Sequence, residues 1–269
     1  MSNQLQIRFP WSRPRVAVLE ISGAIGAQVR GLQMSRTIRA LEKDPRVKAV
    51  VLEIDSPGGS ASASDMIFKQ LQKLSKKKPT VAYIGGSGLS GGYLIASAAR
   101  HIIAGETALV GSIGVIFMRP VVQELMAKLG VRMEMTHEGH LKGMFQPWRE
   151  PTEEERTKVQ GLTDELYEWF VGAVAAARNL DIKKVREFAT GEMFSGRKAL
   201  EIGLIDEIGD FDLALKTARR MADLSERPRL QWVRPRRPLL ERVMARGSFS
   251  AGEIAAEIEA RIVPRIEFR

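Results

Sequence analysis

The 269-residue chain has no cysteine and three histidines. The first absence excludes disulfides, thiolate zinc sites and cysteine nucleophiles outright, and it fits a reducing compartment. The second leaves His101, His137 and His140 as the whole supply of imidazole bases. No stretch approaches the ~20 apolar residues that a membrane-spanning helix needs. Near the N-terminus Arg8, Arg13, Arg15 and Glu20 interrupt any apolar run of the signal-peptide type. The sequence therefore predicts a cytoplasmic chain, or one peripheral to a membrane, without a transmembrane segment or signal peptide. Internal repeats and long low-complexity tracts are missing too. So is the aromatic interleaving of nucleic-acid modules, and nucleic acid is not an expected partner.

What is present is an ordinary globular composition, 44% hydrophobic and 27% charged, long enough for one sizeable α/β domain. The net charge of +9 gathers at the ends. Residues 227–246 hold seven arginines against one acid, Glu241, and the first fifteen residues carry Arg8, Arg13 and Arg15 without an acid. Such clusters suit peripheral contact with an anionic membrane, and equally suit solvated tails. The expected organisation is a basic N-terminal segment (1–14), one domain (15–225), and an arginine-rich linker with an amphipathic extension (226–269). In the last stretch Ile254, Ile258 and Ile262 recur at helical spacing.

Hydrophobic periodicity predicts strands at 16–21, 47–54 and 80–84, and further short ones at 101–104, 108–110 and 113–118. Helices are predicted at 29–43, 60–75 and 90–99, and after residue 150 at 151–178, 181–188, 197–203 and 210–222. Strand–turn–helix repeated in this way implies βαβ units and a parallel sheet.

Two glycine-rich turns fall at carboxyl ends of strands, where open α/β sheets place their ligands. The second, Gly88-Leu89-Ser90-Gly91-Gly92, presents a serine on a tight bend that opens a helix. That arrangement holds a hydroxyl nucleophile beside free backbone donors. The first, Asp55-Ser56-Pro57-Gly58-Gly59, supplies Gly58 and Gly59 as partners for an oxyanion hole, with Gly91 the donor next to the serine and Ser56 a cap. A serine hydroxyl also needs a base. No aspartate lies between Ser90 and His140, and His101 follows at the far end of the Ser90 helix, so a histidine triad fits poorly. Lys142, among Leu141, Gly143, Met144, Phe145 and Trp148, has neighbours apolar enough to close over an amine and lower its pKa. Most of the 41 lysines and arginines are surface charges, and spacing alone leaves that alternative open for Lys142. Ser112, in Gly111-Ser112-Ile113-Gly114, is placed to orient the amine or to serve as a turn residue.

At these residues the chain resembles the signal peptide peptidase A family, in its short, single-unit form. The likeness covers about residues 15–222. It rests on Asp55–Gly59, Ser90-Gly91-Gly92-Tyr93, Gly111-Ser112-Ile113-Gly114-Val115, the Gly139…Lys142 loop, and Phe194-Ser195-Gly196…Ala199…Gly203-Leu204-Ile205-Asp206. The resemblance implies a Clp/crotonase-type α/β fold of repeated ββα/βαβ units with a mainly helical C-terminal part. It also implies Ser90 as nucleophile, Lys142 as general base, Ser112 as its helper, and Gly58, Gly59 and Gly91 as oxyanion donors. Neither metal nor cofactor is implied. The expected partners are short, largely apolar peptides such as remnant signal peptides, paired along Gly111, Ser112, Ile113 and Gly114, and further copies of the chain in a ring or dome. The sequence departs from the family pattern in lacking an N-terminal anchor, in Gly86-Ser87-Gly88-Leu89 before the nucleophile, and in Gly143 after the lysine. Rival readings are an acyl-CoA hydratase-like enzyme on the same fold, a Clp-type subunit with a histidine triad, and a non-catalytic membrane-associated scaffold ring.

Overall fold

A computed structural model describes residues 14–224 and 228–233. β1 (Arg15–Ser22) and β2 (Val47–Ser56) are nearly continuous apolar runs, and they pair in parallel with Val16 to Ile21 alongside Ala49 to Ile54. Their crossover helix α1 (Gly31–Lys43) buries Met34, Ile38 and Leu41, the spacing of one helical face. α2 (Ala61–Lys77) starts at Ser60, whose hydroxyl accepts the Ala63 N–H at 3.4 Å, and buries Ile67, Phe68, Leu71 and Leu74. β3 (Thr80–Leu89) leads into the fully buried α3 (Gly91–Ser97). The chain continues through β4 (His101–Ala104), β5 (Leu109–Gly111), α4 (Gln123–Lys128) and α5 (Glu153–Arg178). It closes with α6 (Ile182–Phe188), β6 (Met193–Ser195), α7 (Gly196–Glu201), β7 (Glu207–Ile208), α8 (Phe211–Met221) and β8 (Arg229–Val233).

The strands form one sheet in the order β6-β5-β3-β2-β1-β8, with β4 and β7 branching from β3. Every pairing is parallel except β5 with β6. β3 forks: Val81 to Ile84 pair with β4, and Ser87 to Leu89 pair with β5. The glycine-rich stretch between the two halves lets the strand leave one neighbour for the other. Because side chains alternate, Ala17, Leu19 and Ile21 join the core under α1, α2, α3 and α5. Val16, Val18, Ala49 and Val51 pack on the other face against Ala214 and Ala218 of α8. Both faces are covered, which explains the unbroken apolar strands.

Two sequence expectations are corrected. Residues 113–118 form no strand: Ser112, at φ +51°, turns the chain out of the sheet, and of that stretch Ile113 alone is buried. Conversely, residues 229–233, inside the predicted linker, pair with β1 as β8, and Trp232 stacks on Phe211 with centroids 5.6 Å apart. Residues 1–13 and 234–269, which carry most of the basic clusters and the predicted amphipathic extension, lie outside the described residues. Among the described residues no helix is long and apolar enough to cross a membrane.

A polar latch holds the helical part to the sheet. Arg178, its side chain 9% exposed, donates to both carboxylate oxygens of Asp206 at 2.6 and 3.1 Å and to Gly203 O at 3.1 Å. Asp206 also accepts the Ile102 N–H at 2.7 Å, and Tyr93 donates to Leu204 O at 2.8 Å. Burial raises the Asp206 carboxyl, but the hydrogen bond and charge of Arg178 outweigh it, and its pKa is lowered overall. This stabilisation is complete above the ordinary carboxylate range and is lost as pH falls towards the lowered value. Asp206→Asn is expected to cost about 1–3 kcal/mol at neutral pH. The deficit in thermal melting, measured across a pH series, should shrink on the acid side.

Candidate active site

β2, β3 and β5 bring their carboxyl ends together, and the glycine turns that follow them meet there. Ser90 follows β3 with φ +49° and ψ −120°, a backbone region that is strained for a residue with a Cβ. Two hydrogen bonds impose it. Ser90 N–H donates to Gly111 O at 2.8 Å, and Leu94 N–H donates to Ser90 O at 3.0 Å. The Pro57-Gly58-Gly59 turn then packs directly on this bend. Gly58 has φ +99°, and a Cβ there would lie 2.7 Å from Ser90 Cβ and 3.0 Å from Gly91 N, so backbone and no side chain faces the serine. A Cβ on Gly91 would run into the Ser64 hydroxyl.

Ser56 shapes the turn instead of capping a helix. Fully buried, it donates from Oγ to Gly23 O at 2.7 Å and accepts the Gly58 N–H at 3.1 Å. Ile25 N–H holds the Gly58 carbonyl at 2.7 Å, and Ser60 N–H holds Ile25 O at 2.8 Å. The Ser90 and Gly58 amides are therefore engaged within the fold. Those of Gly59 and Gly91 make no hydrogen bond among the described residues.

Gly111, Ser112, Ile113 and Gly114 lie beside Ser90 through the Gly111 carbonyl. One edge of this segment is occupied, because Ser112 N–H donates to Glu192 O at 2.7 Å and Ile113 O accepts the Gly191 N–H at 3.1 Å. Asp55 ties the β2 end to the β3 tail, accepting the Ser87 N–H at 2.9 Å and the Ser87 hydroxyl at 2.8 Å. That carboxylate is consumed in bracing the turn, whereas hydratase chemistry calls for a free pair.

No hydrogen bond links Lys142 to Ser90 among the described residues. The lysine is exposed, and its ammonium forms no hydrogen bond or ion pair among the described residues. Its apolar neighbours therefore do not bury it within one chain. The physical reason is that residues 112–150 contain the short α4 and no strand, and their hydrogen bonds beyond residue 114 stay within the segment or go to the start of α5. His101 pairs with Val81 at the opposite end of β3 from Ser90, with Nε2 3.2 Å from Glu207. His137 and His140 are exposed, the latter 3.2 Å from Glu154. A histidine triad with Ser90 is not assembled. Among the described residues no group of three or more His, Asp or Glu is gathered as metal ligands would be.

Sequence reasoning passed over Arg149 and Glu155, which anchor the Lys142 segment. Its signal was legible, since Thr152–Glu155 has the Thr-x-x-Glu pattern of a capping box ahead of a helix.

A strained serine, a backbone turn against it and unengaged amides at its side can accept an acyl group and stabilise the oxyanion that forms. Comparison with known proteins agrees with that chemistry. The family model for Peptidase family S49 matches residues 72–225, and that for Clp protease matches residues 17–108. A putative protease of Synechocystis sp. is 36% identical over 86% of this chain and 83% of its own length. A putative signal peptide peptidase SppA of Enterococcus faecium is 36% identical over 70% of this chain, which spans 55% of that protein. Among solved structures, a membrane-bound stomatin-specific protease superposes with a TM-score of 0.53 at 20% identity, over 83% of this chain and 99% of that one. The last match speaks for the fold, which is the Clp/crotonase-like α/β type. On the family model and the Synechocystis relative together, the chain belongs to peptidase family S49, a family of serine peptidases.

Proposed function

We propose that this serine peptidase is an endopeptidase working through a Ser90–Lys142 dyad on short, largely apolar peptides, with residues 15–225 as its peptidase unit. The observation that carries the reading is the Ser90 bend, held at positive φ with the Gly58 turn seated on it. Gly59 and Gly91 are the amides free to receive the oxyanion, and Gly58 sets their spacing. A peptide strand lies along the Gly111–Gly114 segment on the edge that leaves β5 after Gly111, and Ser112 orients the lysine amine. Lys142 takes the Ser90 proton as Oγ attacks the scissile carbonyl. The proton passes to the leaving amine, and water then releases the acyl group.

A lysine does this only when desolvated, and a single chain leaves Lys142 exposed. The same segment carries Ile116 at 85%, Met118 at 75% and Leu129 at 69% exposure. A patch of that kind is characteristic of an interaction surface. Further copies of the chain, in a ring or dome, are the cover that hides these side chains and dries the lysine. The scaffold-ring alternative would use the same surface without turnover. The basic termini suit peripheral contact with anionic membranes.

Ser90→Ala and Lys142→Ala are each expected to lower kcat on an apolar peptide substrate by ~10⁴-fold or more, with the thermal melt unchanged. A Lys142→Ala enzyme of normal rate would remove the dyad. A fluorophosphonate probe should label the unaltered chain at Ser90 and leave Ser90→Ala unlabelled. Replacing Ile116, Met118 and Leu129 together by serine is expected to shift the mass measured by light scattering towards the monomer, and to lower activity in step.

A further inference from the structure

The Lys142 loop has one firm anchor in the fold, the N-terminus of α5. Arg149 Nη2 donates to the carbonyl oxygen of Gly143, the residue after the lysine, at 2.9 Å. The same guanidinium grips the Glu155 carboxylate with both terminal nitrogens, Nη1 at 2.9 Å. Glu155 is 3% exposed and belongs to the capping box of α5: it accepts the Thr152 N–H at 2.9 Å, while its own N–H donates to Thr152 Oγ1 at 3.2 Å. Arg119 adds a second tie, Nη1 to Met144 O at 2.6 Å. Within the loop Lys142 N–H closes a turn onto Gly139 O at 2.9 Å.

Capping α5 requires the threonine and the glutamate, but not the arginine. A buried carboxylate does require a partner, and a lysine ammonium would meet that need as a point charge. The planar guanidinium achieves more, because its fork serves two carboxylate oxygens and leaves a donor for the Gly143 peptide. The Arg149 hydrogen bond brings the Glu155 carboxyl down to about 2, against the upward pull of burial. The pair therefore stays ionised through the neutral range. The far half of α5 is fixed in the core by Phe170, Val171, Val174 and Ala175, and its last residue is Arg178 of the Asp206 latch. At 26 residues the helix is about 39 Å long, an arm rooted in the domain that carries the lysine loop at its free end.

We infer that Arg149 and Glu155 are positioning residues for Lys142, fixing the Gly143 peptide and with it the direction in which the lysine side chain leaves its loop. The inference rests on the reading of Lys142 as the base. The pair's hydrogen bonds stay within the Lys142 segment and the start of α5 and do not reach Ser90, so on this reading its effect runs through the amine.

The test uses the full chain with Arg149→Met, Arg149→Lys, Glu155→Gln and Lys142→Ala, assayed on an apolar tetrapeptide–aminomethylcoumarin substrate across pH. In parallel, reductive methylation of Lys142, read by peptide mass spectrometry, follows the amine itself. Arg149→Met is expected to lower kcat by ~10- to 100-fold, the cost of misplacing a catalytic group by about 1 Å. KM should stay within about twofold, while the pH midpoint of kcat and the methylation profile of Lys142 shift together to higher pH. Arg149→Lys should recover part of the rate, and Glu155→Gln should fall between. Unaltered kcat in Arg149→Met, or a lowered kcat with the Lys142 methylation profile unmoved, overturns the positioning role. Should Arg149→Met fail to fold, the same two readouts on Arg149→Lys and Glu155→Gln decide. A fully active Lys142→Ala overturns the base reading as well. An inactive Lys142→Ala beside an unimpaired Arg149→Met removes only the positioning role.

Discussion

The structure depends on one close approach, that of the Gly58 turn to the Ser90 bend. With 2.7 Å between Ser90 Cβ and the place where a Gly58 side chain would begin, the two segments meet through backbone alone. The strained φ of Ser90 persists because neighbours over-determine it: Gly111 O from β5, the first turn of α3, and Gly58 from the β2 end. Three strands must therefore end together for the serine to exist in this form. The fork in β3, which exchanges β4 for β5 just before the bend, supplies that convergence. Asp55 and Ser56 keep it fixed, one from the outside of the turn and one from within.

Much of this was legible in the residues. β1 to β4, the crossover helices and the two glycine turns follow from apolar runs and turn chemistry, because local composition and tertiary position agree there. The strand expected at 113–118 did not form, because a continuous apolar run carries the same pattern whether it pairs or projects. Only the backbone reversal at Ser112 decides between the two. β8 was hidden by its flanks, because Pro228, Arg234 and Pro235 read as a linker although Leu230, Trp232 and Val233 between them are apolar. For the candidate site, residue types pointed to Ser90 and to the glycine turns beside it. Which amides are engaged was beyond reach, because Ser56 Oγ and Gly111 O select them through long-range hydrogen bonds.

Two mechanical parts with different supports emerge. The serine and its amides belong to the sheet, where each atom is braced by several strands. Lys142 sits in a loop tied to the start of α5 through Arg149, and the same segment exposes Ile116, Met118 and Leu129. On the proposed dyad, acyl transfer would require these two supports to be brought into register, which would couple activity to assembly. The Arg149–Glu155 pair and the Arg178–Asp206 latch bracket α5 at its two ends. One ion pair faces the loop and the other faces the domain.

The sheet ends in very short strands: β6 has three residues, β7 two and β8 five. Unpaired strand rims are templates for stray chains, and brevity is one way that proteins blunt them. A peptidase meets extended polypeptide as substrate, and a long open rim would pair with it anywhere along its length. Among the described residues these short terminal strands offer an extended chain few ladder positions, so the peptidase is a poor template for being fouled by polypeptide.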